Sequence, residues 1–201
     1  MDLILLRHPP PDVAPGVCYG QTDLPVDAST FDATTAAMRQ TLATLLGGRV
    51  PVAVHSSPLQ RARKAAQAIA ESFGMPVTED DRLSEMHFGE WEMQPWDAID
   101  RAQLDAWAND VAGFAPPGGE SAHEVARRMA AWAKTALVAK SADATREVHV
   151  AVSHAGPIRL HTAAALGLPP TTCLSWALDF GALCALRFSD HGQARLMRWN
   201  G

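Results

Sequence analysis

Three apolar runs of the sequence each end in side chains suited to holding an anion. The groups that follow them are Arg7-His8 after the first run, Ser56-Ser57 with the nearby Arg61 after the second, and Ser153-His154 after the third. Arginine presents fork-shaped donors that match phosphate oxygens, and neutral imidazole is a good nucleophile near neutral pH. These residue types therefore predict a phosphate pocket that contains two histidines.

The first apolar run, residues 3–6, has the pattern of a strand buried on both of its faces. Pro9, Pro10 and Pro11 follow it closely. Pro9 disfavours helical geometry for His8, and no proline has an N–H with which to continue a sheet. We therefore predict a strand that ends at His8.

Strand and helix alternate twice more around the other two groups. The pattern predicts a strand over residues 50–55 with a helix after Pro58, and a strand over residues 148–152 with a helix that begins near Gly156. The N-terminal amides of such helices, including that of Ala155, favour an anion at the same edge of the sheet. Open α/β sheets bind their ligands at this edge.

Helix caps, short apolar runs and turn residues indicate the other elements. We predict a helix capped by Ser29 that ends at Leu46, a helix over residues 96–108, and a helix with a Ser121/Glu124 capping box that runs through Ala139. We also predict a short strand near Val77 and a closing hairpin across residues 190–192. The alternation predicts a three-layer α/β/α sandwich with a mostly parallel sheet. We expect one domain over residues 1–201, with residues 85–119 as a small helical and loop cap over the carboxyl ends of the strands.

Composition excludes several classes of protein. The net charge of −5 argues against general binding to nucleic acid or to anionic membranes. Cys18, Cys173 and Cys184 are odd in number and far apart, which argues against a disulfide framework and a zinc ribbon. No signal peptide or membrane span is recognisable. We expect a cytoplasmic monomer or homodimer without a metal or other cofactor.

Six stretches of the chain together resemble the histidine phosphatase (phosphoglycerate mutase-like) superfamily. They are LLRH (5–8), GQTDLP (20–25), SSPLQRAR (56–63), LSEMHFGEWE (83–92), PPGGES (116–121) and VSHAGPIR (152–159). The resemblance covers nearly the whole chain. Because the blocks are closely spaced and CYGQTDLP follows the first of them, the chain looks most like the small bacterial α-ribazole phosphatase-like proteins.

The resemblance implies roles for five residues. His8 would attack the phosphorus atom, and Arg7, Arg61 and His154 would form a clamp around the phosphoryl oxygens. Glu85 would be the general acid that protonates the leaving alkoxide. Other carboxylates nearby remain alternatives for this last role, namely Glu79, Asp80, Asp81, Glu90 and Glu92.

The sequence departs from the family after His8, where glycine and polar residues are usual and three prolines stand here. Prolines offer no phosphate donors, so we expect Gln21 and Thr22 to supply replacements. Ser57 either donates its hydroxyl to phosphate or caps the helix that follows it.

The sequence thus predicts a metal-independent phosphomonoester hydrolase that acts through a phosphohistidine on a small phosphorylated metabolite. The resemblance makes α-ribazole 5′-phosphate a candidate substrate. One alternative is phosphoglycerate mutase activity, which requires a second anion site. Another is a non-catalytic phosphate-binding module, which the proline wall after His8 suggests.

Overall fold

A computed structural model describes residues 1–138 and 147–201. The strands are β1 (Asp2–Arg7), β2 (Ala53–Ser56), β3 (Val77–Glu79), β4 (Val148–Ser153), β5 (Leu183–Phe188) and β6 (Ala194–Arg198). The α-helices are α1 (Phe31–Leu46), α2 (Gln60–Glu71), α3 (Arg101–Asn109), α4 (Ala122–Ala136) and α5 (Ala155–Ala165). Short 3-10 turns cover Asp81–Leu83, Gly89–Trp91, Trp96–Ala98 and Pro170–Ser175.

The strands form one mixed sheet in the order β3-β2-β4-β1-β5-β6. The first four are parallel to one another, while β5 runs antiparallel to both β1 and β6. This confirms the mostly parallel sheet and the closing hairpin. The parallel arrangement brings the carboxyl ends of β1, β2 and β4 to one edge, where the three predicted groups of polar side chains meet.

The central strand β1 joins two hydrophobic clusters. Its side chains alternate, so that Leu3 and Leu5 pack with α4 and α5, while Ile4 and Leu6 pack with α1 and α2. All four are at most 1% exposed, and burying each contributes about 2 kcal/mol. The helices on both faces of the sheet confirm the three-layer architecture.

A third hydrophobic cluster joins the segment between β3 and α4 to the loop that follows β1. Its buried members are Cys18, Trp91 and Ile99, and partly buried aromatic rings pack around them, including Trp96 and Trp107. The tryptophan rings 96 and 107 stack with their centroids 5.9 Å apart. These aromatic side chains stabilise the irregular segment that carries Glu85.

Two predicted starts of elements are wrong. Thr30 is the N-cap residue of α1, because the hydroxyl of Ser29 donates instead to the carboxylate of Asp27 at 2.6 Å. Strand β2 begins at Ala53 and not at residue 50, since Val50 is 63% exposed and Pro51 has no N–H for the sheet.

The helix predicted over residues 96–108 is divided into a 3-10 turn and α3. Asp100 causes the division, because its carboxylate accepts the backbone N–H of Gln103 and starts a new helix. The Ser121/Glu124 capping box is confirmed. Helix α4 ends at Ala136, and the predicted end at Ala139 lies outside the described residues. Among the described helices, none has the length and hydrophobicity needed to cross a membrane.

A buried histidine on α5 predicts that the protein loses stability in acid. Burial lowers the pKa of His161 from 6.5 to about 4. Below about pH 6.5 the unfolded chain takes up a proton that the folded protein does not bind, so the free energy of unfolding falls as the pH decreases toward 4. Replacing His161 with Leu should remove about 2 kcal/mol of the loss between pH 7 and pH 4.5.

Urea denaturation of the wild type and of His161→Leu at both pH values measures this difference. The exposed His123 on α4 offers a control, and His123→Leu should leave the pH dependence unchanged. An equal pH dependence in the wild type and His161→Leu would contradict the prediction.

Candidate active site

His8 lies enclosed directly after β1, with 1% of its surface exposed. Its backbone N–H donates to the carbonyl of Ser153 at 3.1 Å, which ties it to the end of β4. Its ring Nδ1 lies 2.6 Å from the carbonyl oxygen of Pro9. Because a carbonyl can only accept, Nδ1 carries the proton and Nε2 keeps its lone pair. The first proline therefore orients the ring and sets its tautomer.

His154 stands next to His8 at the end of β4. The two ring centroids are 4.8 Å apart, and His154 is fully buried. Its Nε2 lies 2.8 Å from the hydroxyl of Ser57, which also accepts the backbone N–H of Leu59 at 3.3 Å. Ser57 therefore holds the turn before α2 and contacts His154, but it is not the cap of that helix, because the N-cap residue is Leu59. Its contact with phosphate stays a prediction.

Arg61 projects from the first turn of α2 and is fully buried. Its Nη1 donates to the carbonyl of Thr22 at 2.8 Å, and its Nη2 donates to the carbonyl of Gly20 at 2.6 Å. Within the described residues it has no ion pair with a carboxylate. The loop of residues 20–22 therefore fixes the guanidinium through carbonyl oxygens, without placing a carboxylate in direct contact with it.

Arg7 is held in a similar way at the end of β1. Its Nη1 donates to the carbonyl of Leu178 at 2.6 Å, and its guanidinium carbon lies 3.6 Å from the centroid of the Phe180 ring. The same ring lies 5.6 Å from that of His8. In the described parts of the chain Arg7, too, has no carboxylate partner. Phe180 thus stacks against both the arginine and the histidine.

Three buried nitrogens of this group have no hydrogen-bond partner among residues 1–138 and 147–201. They are Nε of Arg7, Nε of Arg61 and Nδ1 of His154. A buried polar atom without a partner costs about 1–3 kcal/mol. An anion with several acceptor oxygens would relieve that cost.

Burial and positive charge keep both histidines neutral. Desolvation, followed by the charges of Arg61 and Arg7, holds the pKa of His8 well below its usual value, against an opposing effect of the Pro9 carbonyl. Desolvation is also the main cause that lowers the pKa of His154, with smaller contributions from His8 and the arginines. The Nε2 atom of His8 is therefore unprotonated at neutral pH.

Glu85 lies against the amino end of α5. The N–H of Gly156 is 3.5 Å from its Oε2, and a Cβ atom at Gly156 would displace its carboxylate from this position. Its backbone carbonyl accepts from the side-chain amide of Gln21 at 2.9 Å and from Arg128 at 3.0 Å. These contacts bring the predicted acid to the edge of the sheet that holds both histidines.

Glu92 organises the loop that holds Arg61. Its Oε1 accepts the N–H groups of Gln21 at 2.9 Å and of Phe88 at 3.0 Å, and its Oε2 accepts the N–H of Thr22 at 2.7 Å and its hydroxyl at 2.5 Å. A Cβ atom at Gly20, whose φ is +40°, would collide with this carboxylate. The loop can therefore approach Glu92 only with glycine at position 20.

The donors of Gln21 and Thr22 are engaged by the protein itself. The amide of Gln21 holds the carbonyl of Glu85, and the hydroxyl of Thr22 holds Glu92. A direct bond from either side chain to phosphate would require it to leave this partner, so their direct contact with phosphate stays a prediction. Ala155, the first residue of α5, lies next to His154 as expected.

Four residues that position the buried histidines, the arginines or Glu85 were not predicted from the sequence. They are Gly20, Glu92, Gly156 and Phe180. Gly20 and Glu92 stand inside two of the quoted motifs, yet neither motif reveals that the two residues touch. Phe180 is outside every motif, so no signal in the sequence points to it. Among the described residues, no three His, Cys, Asp or Glu side chains converge in a way that could hold a metal ion.

Comparisons with known proteins show the family to which the chain belongs. The family model of the histidine phosphatase superfamily (branch 1) matches residues 3–201 of the chain. A glucosyl-3-phosphoglycerate phosphatase from Mycolicibacterium vanbaalenii is 35% identical over 175 residues, which cover 83% of this chain and 75% of the relative. An adenosylcobalamin/alpha-ribazole phosphatase from Escherichia coli is 27% identical over 191 residues, covering 92% of this chain and 89% of the relative.

Solved structures give the same result for the fold. The native structure of a mycobacterial glucosyl-3-phosphoglycerate phosphatase superposes with a TM-score of 0.82 at 30% sequence identity, covering 100% of this chain and 98% of that one. The family match spans nearly all of the sequence, and the six motifs occur within it. The chain therefore belongs to branch 1 of the histidine phosphatase superfamily.

Proposed function

We propose that the protein hydrolyses phosphomonoesters of small metabolites through a phosphohistidine at His8. The observation that carries this proposal is the position of His8 in the site. Its Nδ1 is bound to the Pro9 carbonyl at 2.6 Å, and its ring lies among Arg7, Arg61 and His154. A neutral nucleophile inside a cluster of uncompensated positive charge suits attack on a phosphate dianion.

The reaction has two steps. In the first, the lone pair of His8 Nε2 forms a bond to phosphorus, the bond from phosphorus to the ester oxygen breaks, and protonated Glu85 gives its proton to the leaving oxygen. In the second, water attacks the phosphohistidine, Glu85 takes up a proton from the water, and inorganic phosphate leaves with Nε2 restored. Arg7, Arg61 and His154 stabilise the phosphoryl oxygens throughout.

This chemistry needs no metal, because the two guanidinium groups supply the positive charge that a metal ion supplies elsewhere. The names of the relatives suggest two candidate substrates, α-ribazole 5′-phosphate and glucosyl-3-phosphoglycerate. The relative named for the glucosyl compound is the more similar in sequence, at 35% against 27% identity. A substrate panel should therefore contain both.

Replacing His8 with Ala should abolish both turnover and the phosphoenzyme. Without Nε2 no bond to phosphorus can form, so we expect kcat to fall by at least about a thousandfold. Acid-labile labelling from a ³²P-phosphomonoester and release of inorganic phosphate measure the two effects. The exposed His191 provides the control variant His191→Ala, which should keep both turnover and labelling. The activity of the wild type should survive EDTA. Acid-labile labelling of the His8→Ala variant would contradict the proposal.

Replacing Glu92 with Gln should lower kcat by about ten- to a hundredfold, because it disturbs the loop that orients Arg61. The amide nitrogen of Gln cannot accept the hydrogen bonds that the Glu92 carboxylate receives. A double-mutant cycle with Arg61→Lys tests the cause. If Glu92 acts through Arg61, the two losses in kcat combine to less than their product.

The exposed Glu90 lies two residues away and gives the matched control Glu90→Gln, which should leave kcat unchanged. Independent losses in the cycle would show that Glu92 does not act through Arg61.

A further inference from the structure

A cavity of about 300 Å³ lies beside Glu85, on the side of α5. Most of its walls are apolar, and they include Met86, Phe88, Trp107, Val111, Leu160 and Leu174. Among residues 1–138 and 147–201, Glu85 and Arg159 are the only charged residues that line it. In the proposed reaction Glu85 protonates the leaving oxygen, so the cavity adjoins the position of the leaving group.

Arg159 is fixed in place but its charge is not compensated. Its Nε donates to the backbone carbonyl of Trp176 at 2.7 Å. Neither of its terminal nitrogens forms a hydrogen bond or an ion pair with residues 1–138 or 147–201. Its charge also contributes, after the larger effect of burial, to lowering the pKa of Arg7. Two uncompensated guanidinium groups therefore lie near each other, one in the phosphate site and one in the cavity.

Filling the cavity removes water from Arg159. A guanidinium group that loses water without gaining an acceptor is strongly destabilising, so a well-bound occupant must supply that acceptor. Trp107, another residue of the wall, has an indole N–H with no acceptor in the described parts of the chain. The free donors of Arg159 and Trp107 favour an anionic acceptor on the occupant, and the apolar side chains that form most of the wall favour a hydrocarbon body.

We propose that this cavity holds the leaving alcohol of the substrate, and that this alcohol combines an apolar body with one anionic group bound by Arg159. The inference rests on the proposed phosphatase function and adds the class of substrate to it. The substrate then carries two anions, a phosphate held by Arg7 and Arg61 and a second group held by Arg159.

Matched phosphate esters test the two parts of this proposal separately. Carboxybenzyl phosphate and carbamoylbenzyl phosphate, each as the 3- and 4-isomers, have the same size and differ in charge. Benzyl phosphate and glucose 6-phosphate compare an apolar with a polyhydroxylated leaving group. We expect kcat/KM to be about tenfold higher for the better carboxybenzyl ester than for its carbamoyl analogue, because charge-assisted hydrogen bonds are the stronger ones. We also expect benzyl phosphate to exceed glucose 6-phosphate by about tenfold.

The variant Arg159→Met should reduce the ratio of the carboxybenzyl to the carbamoylbenzyl kcat/KM to about one, and Arg159→Lys should restore part of it. General damage to the fold would lower both values and leave their ratio unchanged. Arg39 is an exposed arginine on α1, and the control Arg39→Met should retain the wild-type ratio.

A ratio near one in the wild type, or an unchanged ratio in Arg159→Met, would overturn the role of Arg159. Equal turnover of glucose 6-phosphate and benzyl phosphate would overturn the apolar leaving group. Labelling of His8 with no turnover of any benzyl ester would overturn this inference alone. The absence of both labelling and turnover with every phosphomonoester would overturn the proposed function, and the inference would fall with it.

Discussion

At one edge of the sheet, the buried guanidinium group of Arg61 and the partly buried one of Arg7 are held by carbonyl dipoles instead of carboxylates. Arg61 donates to the carbonyls of Gly20 and Thr22, and Arg7 donates to that of Leu178. A carboxylate partner would neutralise the charge that a phosphate must meet, whereas a carbonyl orients the guanidinium and leaves its charge in place. The low pKa values of the two histidines and the proposed attraction of phosphate both depend on this arrangement.

The prolines after His8 have a structural role that differs from simply ending a strand. They withhold backbone donors from the site, yet the carbonyl of Pro9 accepts the Nδ1 proton of His8. The carbonyl of Pro10 likewise accepts the N–H of Asp27 at 3.0 Å, which ties the loop to the start of α1. A stiff segment with fixed φ angles holds the ring with a small loss of conformational entropy. The loop therefore has no N–H groups at the prolines to donate to phosphate, but it fixes the orientation of the His8 ring.

Three carboxylates near the site, those of Glu85, Glu92 and Glu120, have separate positions that the sequence alone does not give. Glu92 binds the loop that orients Arg61, and Glu120 accepts from Arg128 at 2.8 Å. Glu85 lies at the amino end of α5, in contact with Gly156 and next to the cavity. Only Glu85 therefore has both a place beside the histidines and an open space for a leaving group, which supports its selection among the acidic residues of this segment.

The sequence by itself determined the alternation of strands and helices, because buried runs such as residues 3–6 and the Ser121/Glu124 capping box are local patterns. It also made Arg7, His8, Arg61, Glu85 and His154 candidate site residues, since they stand inside motifs that resemble those of a known family. Element starts were less predictable, and the competing bond from Ser29 to Asp27 moved the beginning of α1.

Only the tertiary structure decided which partners these side chains have. The contacts of Glu92 with Thr22, of Phe180 with Arg7, and of Glu85 with Gly156 join residues that are far apart in the chain. Such contacts depend on how loops fold back over the sheet edge, and no local pattern or spacing encodes that. The predicted phosphate donors at positions 21 and 22 illustrate the limit, because the fold engages both side chains with acceptors that the sequence could not identify.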